Sequence, residues 1–171
     1  MTNYMIRGKY NEISESAEIG DNSILSSFDF VGKNAIIGKN VHIANYVEIN
    51  SECKIGDNTS IQVFTVFNSN TVVGKNCLIA GHVGTIDEKY PTPFTKTIKR
   101  TPCQIGDNVI LGEGAKLICC KIGNNSVIGT GSVVTKDIPE NQVWVGNPAK
   151  FLMTRKEYDQ KQKEFLIDHN Y

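Results

Sequence analysis

The chain has 171 residues, 40% hydrophobic and 21% charged, with equal numbers of acidic and basic side chains. That is the size and composition of one globular domain, and a zero net charge leaves no basic excess for binding nucleic acid. No apolar run reaches the length of a membrane span, and the opening MTNYMIRGKYNEISES lacks a signal-peptide core, so a cytoplasmic protein is expected.

From Ile13 the chain steps by six through Ile19, Leu25, Val31, Ile37, Ile43, Ile49, Ile55, Ile61, Phe67, Val73 and Ile79. If about a third of positions were large and apolar, twelve in phase would arise by chance about once in a million. Neither a helix of 3.6 residues per turn nor a two-residue alternation holds this register. The residue after each is usually small (Gly20, Ser26, Gly32, Gly38, Ala44, Gly56), which suits a sharp corner between short strands. Four places after each large residue stands a compact one, such as Ala35, Val41, Val47, Cys53 or Thr59, fitted to stack coil on coil. Asn-containing pairs (Asp21-Asn22, Lys39-Asn40, Asp57-Asn58, Lys75-Asn76) recur at the turns, where Asn tolerates left-handed backbone.

After Thr85 the period stops for IDEKYPTPFTKTIKRTPCQ, with three prolines, and returns at Ile105, Leu111 and Leu117. One residue is lost near Cys119-Cys120, and Ile122, Ile128 and Val134 carry on. A stack of coils is therefore predicted from Ile13 to Val134, with one extruded loop at 86–104 of the kind that more often serves function than decoration. The charged tail FLMTRKEYDQKQKEFL (151–166) has apolar residues at helical spacing and a Glu157/Lys161 pair, and is predicted as a helix. The division expected is a β-helix over 1–150 and a helix and tail over 151–171. Cys53, Cys77, Cys103, Cys119 and Cys120 form an odd set without metal-ligand spacing, consistent with free, packing thiols.

The segment IGNNSVIGTGSVVTKDIPENQVWVGNPAK (122–150) closely resembles the C-terminal signature of the hexapeptide-repeat acyltransferases. With the repeats before it, the resemblance covers nearly the whole chain. It implies an all-β, left-handed parallel β-helix assembled as a homotrimer, with active sites between subunits and acetyl-CoA as co-substrate along the seam. The run HVGTIDEKYPTP (82–93) is similar to a segment of acetyltransferases of nucleotide-linked amino sugars. Those enzymes act on dTDP- or UDP-linked amino sugars for bacterial surface glycans such as lipopolysaccharide. Sugar O-acetyltransferases of the same superfamily tend to carry a histidine at the start of this loop, where Asp87 or Glu88 stands here. An amine needs only to be unprotonated to attack a thioester, whereas a hydroxyl depends on an adjacent base, so the missing histidine favours N-acetylation.

On this reading His82 is the candidate base and Asp87 a second catalytic candidate; Glu88, Tyr90 and His42 are candidates for holding the acceptor. Gly112, Gly129 and Gly131 would leave room for a pantetheine arm and expose backbone amides to it. Lys136 and Lys150 would meet the phosphates of CoA. Each has a blander alternative: corner formation for the glycines, solvation for the lysines and carboxylates, loop packing for Tyr90, an outward turn for the histidines. Rival functions are a sugar or antibiotic O-acetyltransferase using His82, a zinc enzyme of the γ-carbonic anhydrase type and a non-catalytic β-helical scaffold. The zinc reading needs three imidazoles; His42, His82 and His169 are all that the chain has, and their spacing does not fit. No metal is expected.

Overall fold

The computed structural model describes residues 5–6, 8–91 and 100–169. In it each hexapeptide contributes a strand of two residues, the first facing out and the second in, as in His42–Ile43 and Lys54–Ile55. Three such steps complete a circuit, so Ile43 lies in parallel register with Leu25 before it and Ile61 after it. Backbone N–H groups reach to the next coil on all three sides: Gly20 N to Ile37 O, Ser26 N to Ile43 O and Gly32 N to Ile49 O, at 2.8–3.0 Å. The result is a parallel β-helix with sheets of nine, seven and six strands.

The in-phase aliphatics are the core. Leu25, Ile43, Ile49, Ile61, Phe67 and Ile79 are completely buried, and each such side chain stabilises the fold by about 1.5–3 kcal/mol. The compact places between them are buried as well, Ala35, Val47, Cys53, Thr59 and Thr65 among them. Burial pushes the Cys53 thiol up to about 11, as befits a side chain used for packing. One interior place breaks the pattern: Asp29 stands where its column otherwise carries Val47, Thr65 and Val83, and is 2% exposed.

Three corners join the three sheets. On the corner leading from the six-stranded to the nine-stranded sheet, Asn40, Asn58, Asn76, Asn108 and Asn125 all take φ of 55–58°. Their side chains form a ladder in which each Nδ2 donates to the next Oδ1, ending on Asn141, at 3.0–3.2 Å. Asparagine meets both demands of the corner, a left-handed backbone and a side chain able to give and accept at once.

The coil extends two steps beyond its predicted end. Ile138 bridges to Ile122 and Trp144 lies in register with Ile128, each sixteen residues on instead of eighteen. Residues 151–154 also differ from expectation. They belong to a strand, Lys150–Thr154, that turns back antiparallel to Gln142–Val145, with Phe151 edge-on to Trp144 at 6.5 Å. The helix α1 runs over Arg155–Asp168. It starts there because Thr154 and Glu157 form a capping box: the Glu157 carboxylate accepts from Thr154 N at 2.7 Å and the Thr154 hydroxyl accepts from Glu157 N. That bond holds the Glu157 carboxyl below its ordinary range. Arg155 pairs with Asp159 at 2.7 Å and donates to the carbonyls of Asn108 and Asn125, tying α1 to the asparagine corner.

Candidate active site

The corner between the nine-stranded and seven-stranded sheets carries a different column. Tyr10, Phe28, Tyr46, Phe64 and His82 occupy equivalent places on successive coils, all with φ of 58–64°. Their rings stack at centroid separations of 4.8–5.2 Å, set by the rise of the coil. A left-handed backbone costs an ordinary residue about 1–2 kcal/mol; an aromatic pair returns about 0.5–1.5 kcal/mol, so stacking offsets much of the strain.

Above His82 the column loses its side chains. Gly114 and Gly131 follow with φ of 72° and 67°. A Cβ placed on Gly131 would meet nothing within 4 Å, and one on Gly114 only Gly131 backbone at 3.9–4.0 Å. The corner is thus filled by rings up to His82 and open beyond it.

Two further groups gather at His82. The Glu113 carboxylate stands 3.6 Å from Nδ1, both side chains being more than half exposed, and Lys116 Nζ donates to the His82 carbonyl at 2.5 Å. Neither was singled out from the sequence. The inserted loop stretches the spacing from His82 to Gly114 to 32 residues, which hides the fact that Glu113 begins the next coil.

Asp87 and Glu88 lie elsewhere. They follow the strand Gly84–Ile86 and so sit at the opposite end of it from His82, about 10 Å of chain away. Asp87 is buried, accepting from Asn68 Nδ2 at 3.1 Å and pairing with Arg100 at 3.4 Å, while its carbonyl accepts from Thr101 N. Glu88 meets the other end of the same guanidinium at 3.5 Å. Arg100 therefore clamps the two ends of the loop together. Within one chain these carboxylates do not join His82. Tyr90 is 79% exposed, and residues 92–99 of the loop lie outside the described residues. His42 points outward from the nine-stranded sheet, between Ile24 and Ser60, and is exposed.

The glycines divide by role. Gly112 and Gly129 are required by packing, since an added Cβ would come within 2.5 Å of Thr130 N and 2.6 Å of Val145 Cγ1 respectively. Gly131 faces open space. The expectation of exposed amides here is overturned: Gly112, Gly129 and Gly131 N–H groups donate to Ile128, Trp144 and Glu113 carbonyls at 2.7–2.9 Å, because the inter-coil ladder uses them all. Lys136 lies over the Trp144 ring, Nζ 4.9 Å from its centroid. Lys150 pairs with Val145 across the hairpin. His169 caps α1, with Nδ1 2.8 Å from Phe165 O. Among the described residues no cluster of His, Cys, Asp and Glu could hold a metal, and no helix is long and apolar enough to cross a membrane.

Residues 102–136 match a family model described as the hexapeptide repeat of succinyl-transferase. Among solved structures, a galactoside acetyltransferase in complex with coenzyme A is 30% identical, with 71% of this chain and 62% of that one covered and a TM-score of 0.60. The polySia-specific acetyltransferase NeuO shares the fold at 21% identity over 85% of this chain and 80% of its own, TM-score 0.62. A hexapeptide-repeat acetyltransferase of Vibrio cholerae O1 biovar eltor, complexed with acetyl-CoA, does so at 23% identity, 72% and 69% coverage, TM-score 0.58. The six-residue period and the three-sided coil are thus shared with hexapeptide-repeat acetyltransferases of known structure, and residues 102–136 carry the matched repeat.

Proposed function

We propose that the chain is a cytoplasmic, acetyl-CoA-dependent N-acetyltransferase of a dTDP- or UDP-linked amino sugar, made for bacterial surface glycans. It would work as a homotrimer with its sites between subunits. The observation that carries the reading is the change from rings to glycines at His82. The space left free at Gly114 and Gly131 would form a trough that begins at the exposed imidazole and leads towards the hairpin that carries Lys150. An extended thioester arm laid along it would bring the acyl carbon towards His82 and its phosphates towards the lysine end.

Glu113 beside Nδ1 favours the tautomer with a proton there and leaves Nε2 as the acceptor. The unprotonated amine attacks the thioester carbonyl, the new C–N bond forms, the C–S bond breaks, and CoA leaves as thiolate. His82 Nε2 takes the proton shed by nitrogen and passes it to the sulfur, so the enzyme ends unchanged. Since the glycine amides are engaged between coils, support for the oxyanion comes from other groups. Asp87, Glu88, Tyr90 and His42 remain candidates for the acceptor only through a neighbouring subunit, where a loop from one chain meets the corner of the next.

A second reading is sugar O-acetylation. The His82–Glu113 pair favours it, because a hydroxyl needs the activated base that this pair would supply. Release of CoA thiol from acetyl-CoA, measured with dTDP- and UDP-linked amino sugars beside their hydroxyl counterparts, separates the two. Turnover with amines alone supports N-acetylation, turnover with hydroxyls supports the second reading, and silence with both rejects this class of acceptor.

A further inference from the structure

Phe64 differs from the other rings in what lies above it. Its ring centroid is 5.0 Å from that of His82, and the two planes are inclined by 34°, whereas the three ring pairs below are inclined by 2–19°. His82 is more than half exposed, and its ring meets Phe64 beneath the face and Glu113 at the Nδ1 edge. The two contacts fix different things. The carboxylate fixes which edge faces where, while the phenyl ring fixes the tilt of the plane, and hence the direction of the Nε2 lone pair.

We infer that Phe64 is a positioning residue for His82, holding the imidazole plane for proton transfer and stabilising the imidazolium formed as the proton arrives. This rests on His82 being the base. The π face of Phe64 attracts a cation above it, and that attraction exists only after proton transfer has begun, so it favours the transition state over the resting site. Misdirection of a reacting group by about 1 Å costs up to about a hundredfold in rate. A ring neighbour that sets direction and partly stabilises charge should therefore matter without being indispensable.

The test uses four variants of the full chain, acetyl-CoA and a dTDP-linked amino sugar. Phe64→Leu should lower kcat about tenfold with KM changed less than about twofold, and Phe64→Tyr, which keeps the ring face, should restore the parental rate. Phe28→Leu, equally exposed two coils below, should leave it unchanged. In proton–carbon NMR spectra the His82 ring protons should move downfield in Phe64→Leu, as the ring current is lost, and stay put in Phe64→Tyr and Phe28→Leu. His82→Ala separates the two levels of the argument. If it retains turnover, the base assignment falls and positioning falls with it. If it loses turnover while Phe64→Leu does not, or while Phe28→Leu loses as much as Phe64→Leu, only the role of Phe64 is overturned.

Discussion

Replacing Asp29 by threonine should make the protein more stable near neutral pH and remove a slope from its stability profile. Asp29 is 2% exposed. Its Oδ1 accepts from Val47 N at 3.0 Å, but its Oδ2 is buried with no hydrogen-bond partner. Hydroxyl residues do better at equivalent places. Ser23 accepts from Val41 N at 2.9 Å and donates to Gly38 O at 2.8 Å, and Thr65, in the same column as Asp29, donates to Ala80 O at 3.2 Å. A carboxylate can only accept, so one oxygen is stranded. Burial accordingly raises the Asp29 carboxyl from 3.8 to about 6, against the opposing bond from Val47. The unfolded carboxyl ionises first as pH rises, so between about pH 4 and about pH 6 the folded chain holds the extra proton and stability falls. Two pH units correspond to about 3 kcal/mol at most. Asp29→Thr should abolish that fall and gain about 1–3 kcal/mol near pH 7.5. Denaturant unfolding of both proteins at one chain concentration, from about pH 4 to about pH 7.5, measures it. Equal slopes in the two proteins would refute the reasoning.

Four other outcomes follow from the corner and the loop. His82→Ala should lower turnover at least about a hundredfold and Glu113→Gln about tenfold, measured as CoA release; an effect below a few-fold for His82→Ala would remove it as the base. Gly131→Phe should fold, because Phe28 and Phe64 tolerate nearly the same φ, yet extend the ring column into the trough and weaken acetyl-CoA binding more than about tenfold by calorimetry. Arg100→Ala should leave Asp87 buried with one charge partner fewer and cost about 1–2 kcal/mol by thermal unfolding, discounted because Arg100 is itself largely exposed.

Much of the scaffold could be read from the sequence, since the aliphatics that line the coil repeat every six residues whichever sheet they belong to. The last coil escaped because Ile138 and Trp144 arrive after sixteen residues and an intervening proline. The ring column escaped for another reason. Tyr10, Phe28, Tyr46, Phe64 and His82 recur every eighteen residues, and a reading by six averages three chemically different corners into one. His82 was therefore recognised as an outward histidine but not as the end of a stack. Asp29 was passed over because a charged residue at an interior place departs from the rule that reveals the others. Asp87 drew attention by its place in the loop, whereas its pairing with Arg100 depends on how the two loop ends return to each other.

The antiparallel return of Lys150–Thr154 across Gln142–Val145 bears on how the protein stays discrete. A parallel β-helix ends in unsatisfied backbone donors and acceptors, and a second coil of like pitch could dock there and extend the stack into a filament. Reversing the final strand presents the nine-stranded sheet's edge in the wrong direction for such an incoming coil. The last few residues of the hairpin thus act as a terminator of polymer growth, set beside the open end of the trough.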